Sequence, residues 1–432
     1  MPPPMRGDSN GEAQPMNHKR EAGRALGFLL AILLLAANAI PALAATQGDV
    51  TGTFGINATP SVTSVTLTDT SLTPQSSYTI TVAVSDADTI DDIQTVVMKL
   101  WYDSNGGTPN EAEFNGANAD AKNAAVLTWT KSGQSAVAPV LTPGSTSWNL
   151  ESYTVPSSSG DFTGTTFTWS YTVKIGKVAT ETALGTDKWQ IGAKATDAGT
   201  ASHFAYDSTN ASMNWYGEVS VPSATVNWGT VSPGTDFGGT NSQQALVVTV
   251  TYVANGAYDE KVKSSATWNG SSYAVVSGTH DGGQNQAMLT DSGADFVTAG
   301  VAAGDIVHNT TDGSSGTITA VTATTVTATL AGGSDNDWDN GDAYSITVYQ
   351  ATLDSSGNTS SRNQFAIKAD DSATLGSAVL VDSTGVAIDI SGVQTSEAGD
   401  GEPSNNLWLR LANSFAKDTY SGTISYIIAN GT

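Results

Sequence analysis

The 432-residue chain contains no cysteine, and that single absence removes disulfides, thiolate zinc sites, iron–sulfur clusters and cysteine nucleophiles together. Basic residues are scarce: 17 Lys and Arg stand against 41 Asp and Glu, a formal charge of −24. Nucleic-acid binding needs a basic face to neutralise phosphates, so that partner class is excluded. Charged residues of either sign are only 13% of the chain, about half the usual share in globular proteins. Past the first fifty residues no apolar run is long enough to cross a bilayer as a helix, so no membrane span is expected in the mature chain. Hydrophobic residues at 39% and aromatics at 8% are nevertheless too many for a disordered polymer.

The first segment present is a leader. His18, Lys19, Arg20 and Arg24 precede an apolar run from Ala25 to Ala37, then Asn38, Pro41 and Ala42-Leu43-Ala44. A basic stretch, a short apolar core and a small-residue cleavage site define a secretory signal peptide, here residues 1–44, with cleavage after Ala44. Residues 1–15 read as an over-extended start, with Met16 the more natural initiator. The expectation is a secreted, cell-surface-associated protein.

After Ala45 the apolar residues alternate with period two. Phe167, Trp169, Tyr171, Val173 and Ile175 are separated by Thr168, Ser170, Thr172 and Lys174, and Tyr78, Ile80, Val82 and Val84 repeat the pattern. Such alternation marks strands with one buried face, and β-branched and aromatic residues suit them. With no helical stripe in the mature chain, the predicted fold is all-β: tandem antiparallel β-sandwiches of immunoglobulin-like type, with a small β-module inserted in the second. The predicted boundaries are 45–217 for the first sandwich, 218–283 with 350–432 for the second, and 284–349 for the module. The module segment is compact, rich in small residues and unlike its flanks, and a loop tip is where insertions are tolerated. Three sequential domains are the alternative.

The run Ala224–Gly234, read as strand and turn, is followed by a long strand and Ala254-Asn255-Gly256, with Asp418-Thr-Tyr-Ser-Gly-Thr-Ile-Ser-Tyr426 near the end. These segments resemble the sandwich modules of secreted prokaryotic surface proteins, S-layer-like or adhesive. That resemblance implies a surface role and no catalytic residue.

Two acidic loops stand out. Asp86, Asp88, Asp91 and Asp92 follow an alternating strand, and Asp335, Asp337, Asp339 and Asp342 surround a turn glycine, Gly341. Calcium takes about six to eight hard oxygen ligands from loops of this kind; a solvated acidic turn is the plainer reading. Asp312 reads as an isolated turn aspartate. His203, His280 and His308 stand apart in sequence, and no other cofactor is implied. Of the ten tryptophans, Trp268 and Trp338 fall in loop-like sequence and are candidates for stacking on sugars. The leading expectation is a non-enzymatic structural or adhesive surface protein, partnered by copies of itself or by other surface proteins. The alternative is a carbohydrate-binding or carbohydrate-active secreted protein, with glycans as partners.

Overall fold

The computed structural model describes residues 56–431, apart from 145, 184, 223–224 and 239–245. The leader, residues 1–44, lies outside the described residues. Strands take up 47% of the described residues and helices 4%, so the protein is all-β with several antiparallel sheets.

The first half supplies β1 (Ser61–Leu67), β2 (Ser71–Leu72), β3 (Ser77–Ser85), β4 (Ile93–Asp103), β5 (Ala124–Thr130), β6 (Val140–Thr142), β7 (Asn149–Thr154), β8 (Thr166–Lys174), β9 (Lys188–Asp197), β10 (Ser202–Tyr206) and β11 (Ser212–Met213). A four-stranded sheet in the order β1-β3-β8-β7 packs on a five-stranded sheet in the order β10-β9-β4-β5-β6. Strand β3 pairs with β8 without a slip from Ser77↔Lys174 to Ser85↔Thr166. That register puts Ile80, Val82, Trp169 and Tyr171 on one buried face, against Val96, Met98, Leu127 and Trp129 of the other sheet. Trp129 and Trp169 meet edge to face across the core, ring centroids 5.4 Å apart. Each of these fully buried side chains contributes about 1.5–3 kcal/mol relative to exposure.

Two short helices interrupt the strands, where the sequence offered no helical stripe. Asn110 caps Glu111–Gly116. Ser158 and Asp161 form a capping box over Ser159–Thr163. Five or six residues are too few for periodicity to show, although the Ser-x-x-Asp spacing was there to be read.

The second half supplies β12 (Gly217–Ser220), β13 (Leu246–Ala254), β14 (Tyr258–Ser264), β15 (Thr267–Thr279), β16 (Met288–Thr290), β17 (Ile306–Asn309), β18 (Ser315–Val321), β19 (Thr325–Ala328), β20 (Ala343–Leu353), β21 (Gln364–Asp370), β22 (Val379–Leu380), β23 (Val386–Gly392), β24 (Asp400–Leu411), β25 (Tyr420–Ser421) and β26 (Ile424–Asn430). A sheet running β12-β13-β24-β21-β20 faces a three-stranded sheet, β23-β14-β26, over a second core that includes Val250, Tyr252, Phe365, Ile367 and Leu407. Residues 225–231, expected to begin with a strand, form none. Gly229 takes a left-handed φ of 67° there, and the segment instead lays Val226, Trp228 and Val231 against the second core.

Strands β15 and β20 are longer than the sandwich needs. They pair from Thr267↔Thr352 outward to Thr279↔Ala343, with an irregularity after Asn269. At the inner end Ala351 belongs to the second core; at the outer end Val276, Tyr344, Ile346 and Val348 belong to a third, with Leu289, Phe296, Ile318 and Trp338. The small-residue segment 284–349 thus grows from a continuous two-stranded ribbon, and its packing begins inside β15. From Asn57 onward the chain forms one compact unit.

Candidate functional site

The first acidic loop connects β3 to β4 at one end of the first sandwich. Ile90 is fully buried beneath it, and the amides of Asp86 and Ile90 donate to the carbonyls of Thr165 (2.9 Å) and Gly164 (2.8 Å) ahead of β8. Thr89 turns the chain with φ 93° into the single 3-10 turn Ile90–Asp92. In so tight a turn successive side chains diverge by roughly 120°, and this separates Asp91 from Asp92. Asp91 pairs with Lys131 Nζ at 2.8 Å, and the Lys131 hydrogen bond holds its carboxyl below the ordinary value.

Asp86, Asp88 and Asp92 instead converge, with one carboxylate oxygen of each within 4.8 Å of the others. Asp86 is 2% exposed. Its Oδ1 accepts from the amide of Asp88 at 2.9 Å, while its Oδ2 and the Oδ2 of Asp92 are buried without a hydrogen-bond partner. Burial raises the pKa of Asp86, and Asp92, Asp88 and Asp197 raise it further. Burial raises Asp92 too, with Asp197 and Asp88 adding to it. Of the four aspartates singled out by spacing, three face one another and Asp91 faces away. No local spacing points to Asp197, which arrives from the far end of β9.

The second acidic loop joins β19 to β20 in the module. Asp335, Asp337 and Asp339 bring carboxylate oxygens within 4.8 Å of one another. Trp338, fully buried in the module core, anchors the loop between them. Asp342 is 6% exposed and serves as scaffold: its Oδ2 accepts from the Asp339 amide (2.8 Å) and from Asn309 Nδ2 (2.9 Å). Asn309 Nδ2 also lies 2.9 Å from Asp312 Oδ2 and 3.2 Å from the Asp337 carbonyl. Asp312 is therefore not isolated. Desolvation, then the charge of Asp342, raises its pKa, and desolvation with Asp335 and Asp339 raises Asp337, whose Oδ1 is buried and unpartnered. Among the described residues no Lys or Arg pairs with these five carboxylates. Asn309 stands in an Asn-x-Thr sequence, yet it is fully buried and cannot serve as a glycan acceptor in the folded chain.

The remaining candidates are absorbed by packing. Trp338 is buried, and Trp268 is half-buried: it lies 5.0 Å from Phe365 and 6.0 Å from Trp228, and its Nε1 donates to Ser264 Oγ at 3.0 Å. Trp338 offers no open face to a sugar and Trp268 is partly covered, which corrects the loop-exposed expectation. His203 Nδ1 accepts from the Val62 amide at 3.1 Å, and His280 Nδ1 from the Thr290 amide at 2.9 Å. Among the described residues no helix is long and apolar enough to cross a membrane. No known family model matches the chain, and no curated protein matches it. Chemically, both loops are clusters of hard oxygen donors able to hold a metal ion.

Proposed function

We propose that the protein is a non-catalytic, extracellular structural or adhesive component of a cell surface, a building block of a surface layer, filament or matrix. Its partners are copies of itself or other surface proteins, and calcium is the cation taken by the acidic loops. The observation that carries this reading is the joint between the two sandwiches. Asn255, fully buried, donates from Nδ2 to the carbonyls of Ala179 and Asn214, both at 2.9 Å, and accepts from the Tyr216 amide at 2.7 Å. Around it, Gln394 Nε2 donates to the Val178 carbonyl at 2.8 Å, Ser147 Oγ to Glu397 at 2.7 Å, and Lys177 pairs with Glu218. A flexible tether would leave such groups to water; a polar joint with a buried asparagine transmits load between the sandwiches.

Self-association has a physical opening as well. Beyond Ser272, whose amide donates to Asp418 at 2.7 Å, β15 continues to Thr279 with β20 as its one paired strand among the described residues. This stretch carries no charged residue, the feature that commonly guards an edge strand. The carbohydrate alternative rested on aromatics and abundant carboxylates, and the burial of Trp338 with the half-burial of Trp268 weakens its aromatic part. Negative-stain microscopy of the secreted protein, with and without calcium, tests the reading. Ordered sheets or filaments are expected in calcium, and dispersed single particles in both conditions overturn it.

A further inference from the structure

The carboxylates of the β3–β4 loop also hold the chain that leads into β1. Asp88 Oδ2 accepts from the amide of Ala58, and Asn57 Nδ2 donates to Asp197 Oδ2 at 2.8 Å. Asp197 is 2% exposed, and its Oδ1 accepts from the Ala201 amide at 2.8 Å. The turn after it is tied to the loop, because the Ala198 amide donates to the Asp92 carbonyl at 2.9 Å. Gly199 makes the approach of Asn57 feasible: a Cβ there would stand 2.6 Å from Asn57 Nδ2 and 3.1 Å from its Cγ. Three separate pieces of chain, Asn57–Ala58, the loop and the β9–β10 turn, therefore meet at one cluster of carboxylates.

What the strap brings to that cluster is neutral, one backbone amide and one carboxamide. Lys131, the basic side chain nearby, is engaged with Asp91. The unpartnered Oδ2 of Asp86, in a side chain 98% withdrawn from solvent, lies among Asp88 and Asp92 and still needs a positive partner. A doubly charged hard cation satisfies it and cancels the repulsion among its neighbours. We propose that Asp86, Asp88 and Asp92 bind one divalent cation of the calcium class, and that this cation fastens the Asn57–Ala58 strap to the end of the first sandwich. Without it, the repelling carboxylates part and Asp88 and Asp197 release the strap. This inference rests on the reading of the loop as a cation site, and it adds a cation-dependent clasp at the entry to β1.

The test uses the full chain with Asp335→Asn, Asp337→Asn and Asp339→Asn, so that only the first loop is left to bind. Calorimetric titration with calcium chloride is run beside hydrogen exchange of the peptide spanning residues 56–62, in calcium and in chelator. Calcium is expected to bind and to slow exchange of the strap about tenfold. Adding Asp92→Asn should abolish both effects, with near-ultraviolet dichroism of the buried tryptophans confirming the fold. Gly199→Ala, which displaces Asn57 but no ligand, should speed strap exchange and leave calcium affinity within about threefold. Calcium binding with equal strap exchange in calcium and chelator overturns the clasp and leaves the cation site standing. Absence of binding overturns the cation site and the clasp with it.

Discussion

The end of the first sandwich and the inserted module each carry an acidic loop, and the two loops are built differently. In the first, a buried residue of the turn, Ile90, pulls the chain down so that Asp86 goes under with it, and a fourth carboxylate, Asp197, comes from a distant strand. In the second, Trp338 does the anchoring while Asp335 stays exposed, and Asp312 and Asn309 come from the neighbouring hairpin of the same module. The first loop has a lysine beside it; the second has no basic partner among the described residues. Alternating aspartates thus yield a half-buried, partly compensated cluster in one place and a more open, uncompensated one in the other. What decides between them is the packing beneath the loop, not the spacing of the acids.

The largest test of that difference is removal of the anchors. Trp338→Ala should cost about 3–5 kcal/mol and Ile90→Ala about 2–5 kcal/mol. By region-resolved hydrogen exchange, the first loss should fall on residues 284–349 and the second on the strands β3, β4 and β8. Uniform loss of protection along the chain in both variants would make the two regions one cooperative unit and end the comparison.

Charge comes next. In chelator, Asp86→Asn should raise stability by about 1 kcal/mol, because it removes a buried carboxylate that has no cation. In calcium the same substitution should lower it. Asp335→Asn, exposed, should stay within about 0.5 kcal/mol in chelator. Denaturant midpoints measure all of these, and an Asp86→Asn effect of the same sign in both buffers would contradict a cation at the first loop.

Lys131→Ala gives a smaller effect that sharpens the contrast. Loss of the Asp91 pair should cost about 0.5–1 kcal/mol. Removing a positive charge from the first loop should also tighten its calcium binding a few-fold, leaving the module's unchanged. Titration of the two loops separately would show it.

The smallest effect is the acid response. Hydrogen bonds from the Ser157 amide and the Ser158 hydroxyl hold Asp161 below its ordinary pKa, near the first loop. Ser292 does the same for Asp281, and Thr298 for Asp295, in the module. A carboxyl depressed on folding contributes stability above its unfolded pKa and loses it as pH falls through the folded value. These three groups should therefore each contribute a slight weakening below the usual carboxylate range, opposed by Asp86, Asp92, Asp312 and Asp337, whose raised values make protonation stabilising. Asp161→Asn should flatten that response in hydrogen exchange of the first region alone.

The strand pattern was legible because a half-buried strand writes its burial directly into every second residue: Phe167 to Ile175 names its inward face, and β8 buries Trp169, Tyr171 and Val173 accordingly. The short helices were not, since one turn of helix leaves no period to detect. Residues 225–231 misled for a related reason. Val226 and Trp228 keep the spacing of an alternating strand and Val231 breaks it, and among the described residues no neighbouring chain offers them a ladder of hydrogen bonds. The tryptophans misled in the opposite sense. Trp268 and Trp338 are flanked by turn residues, yet burying an indole outweighs the local preference for solvent.

The sequence by itself determined the all-β class and the positions of both acidic loops, because side-chain alternation and turn composition act between residues close together along the chain. Only the tertiary structure decided which carboxylates meet. Asp197 joins Asp86 and Asp92, and Asp312 joins Asp337 and Asp342, across hydrogen-bonded sheets that bring remote segments together. Asp91, inside the same heptapeptide as its neighbours, is turned away toward Lys131. Coulomb energy depends on distance in space and on the surrounding dielectric, and packing sets both.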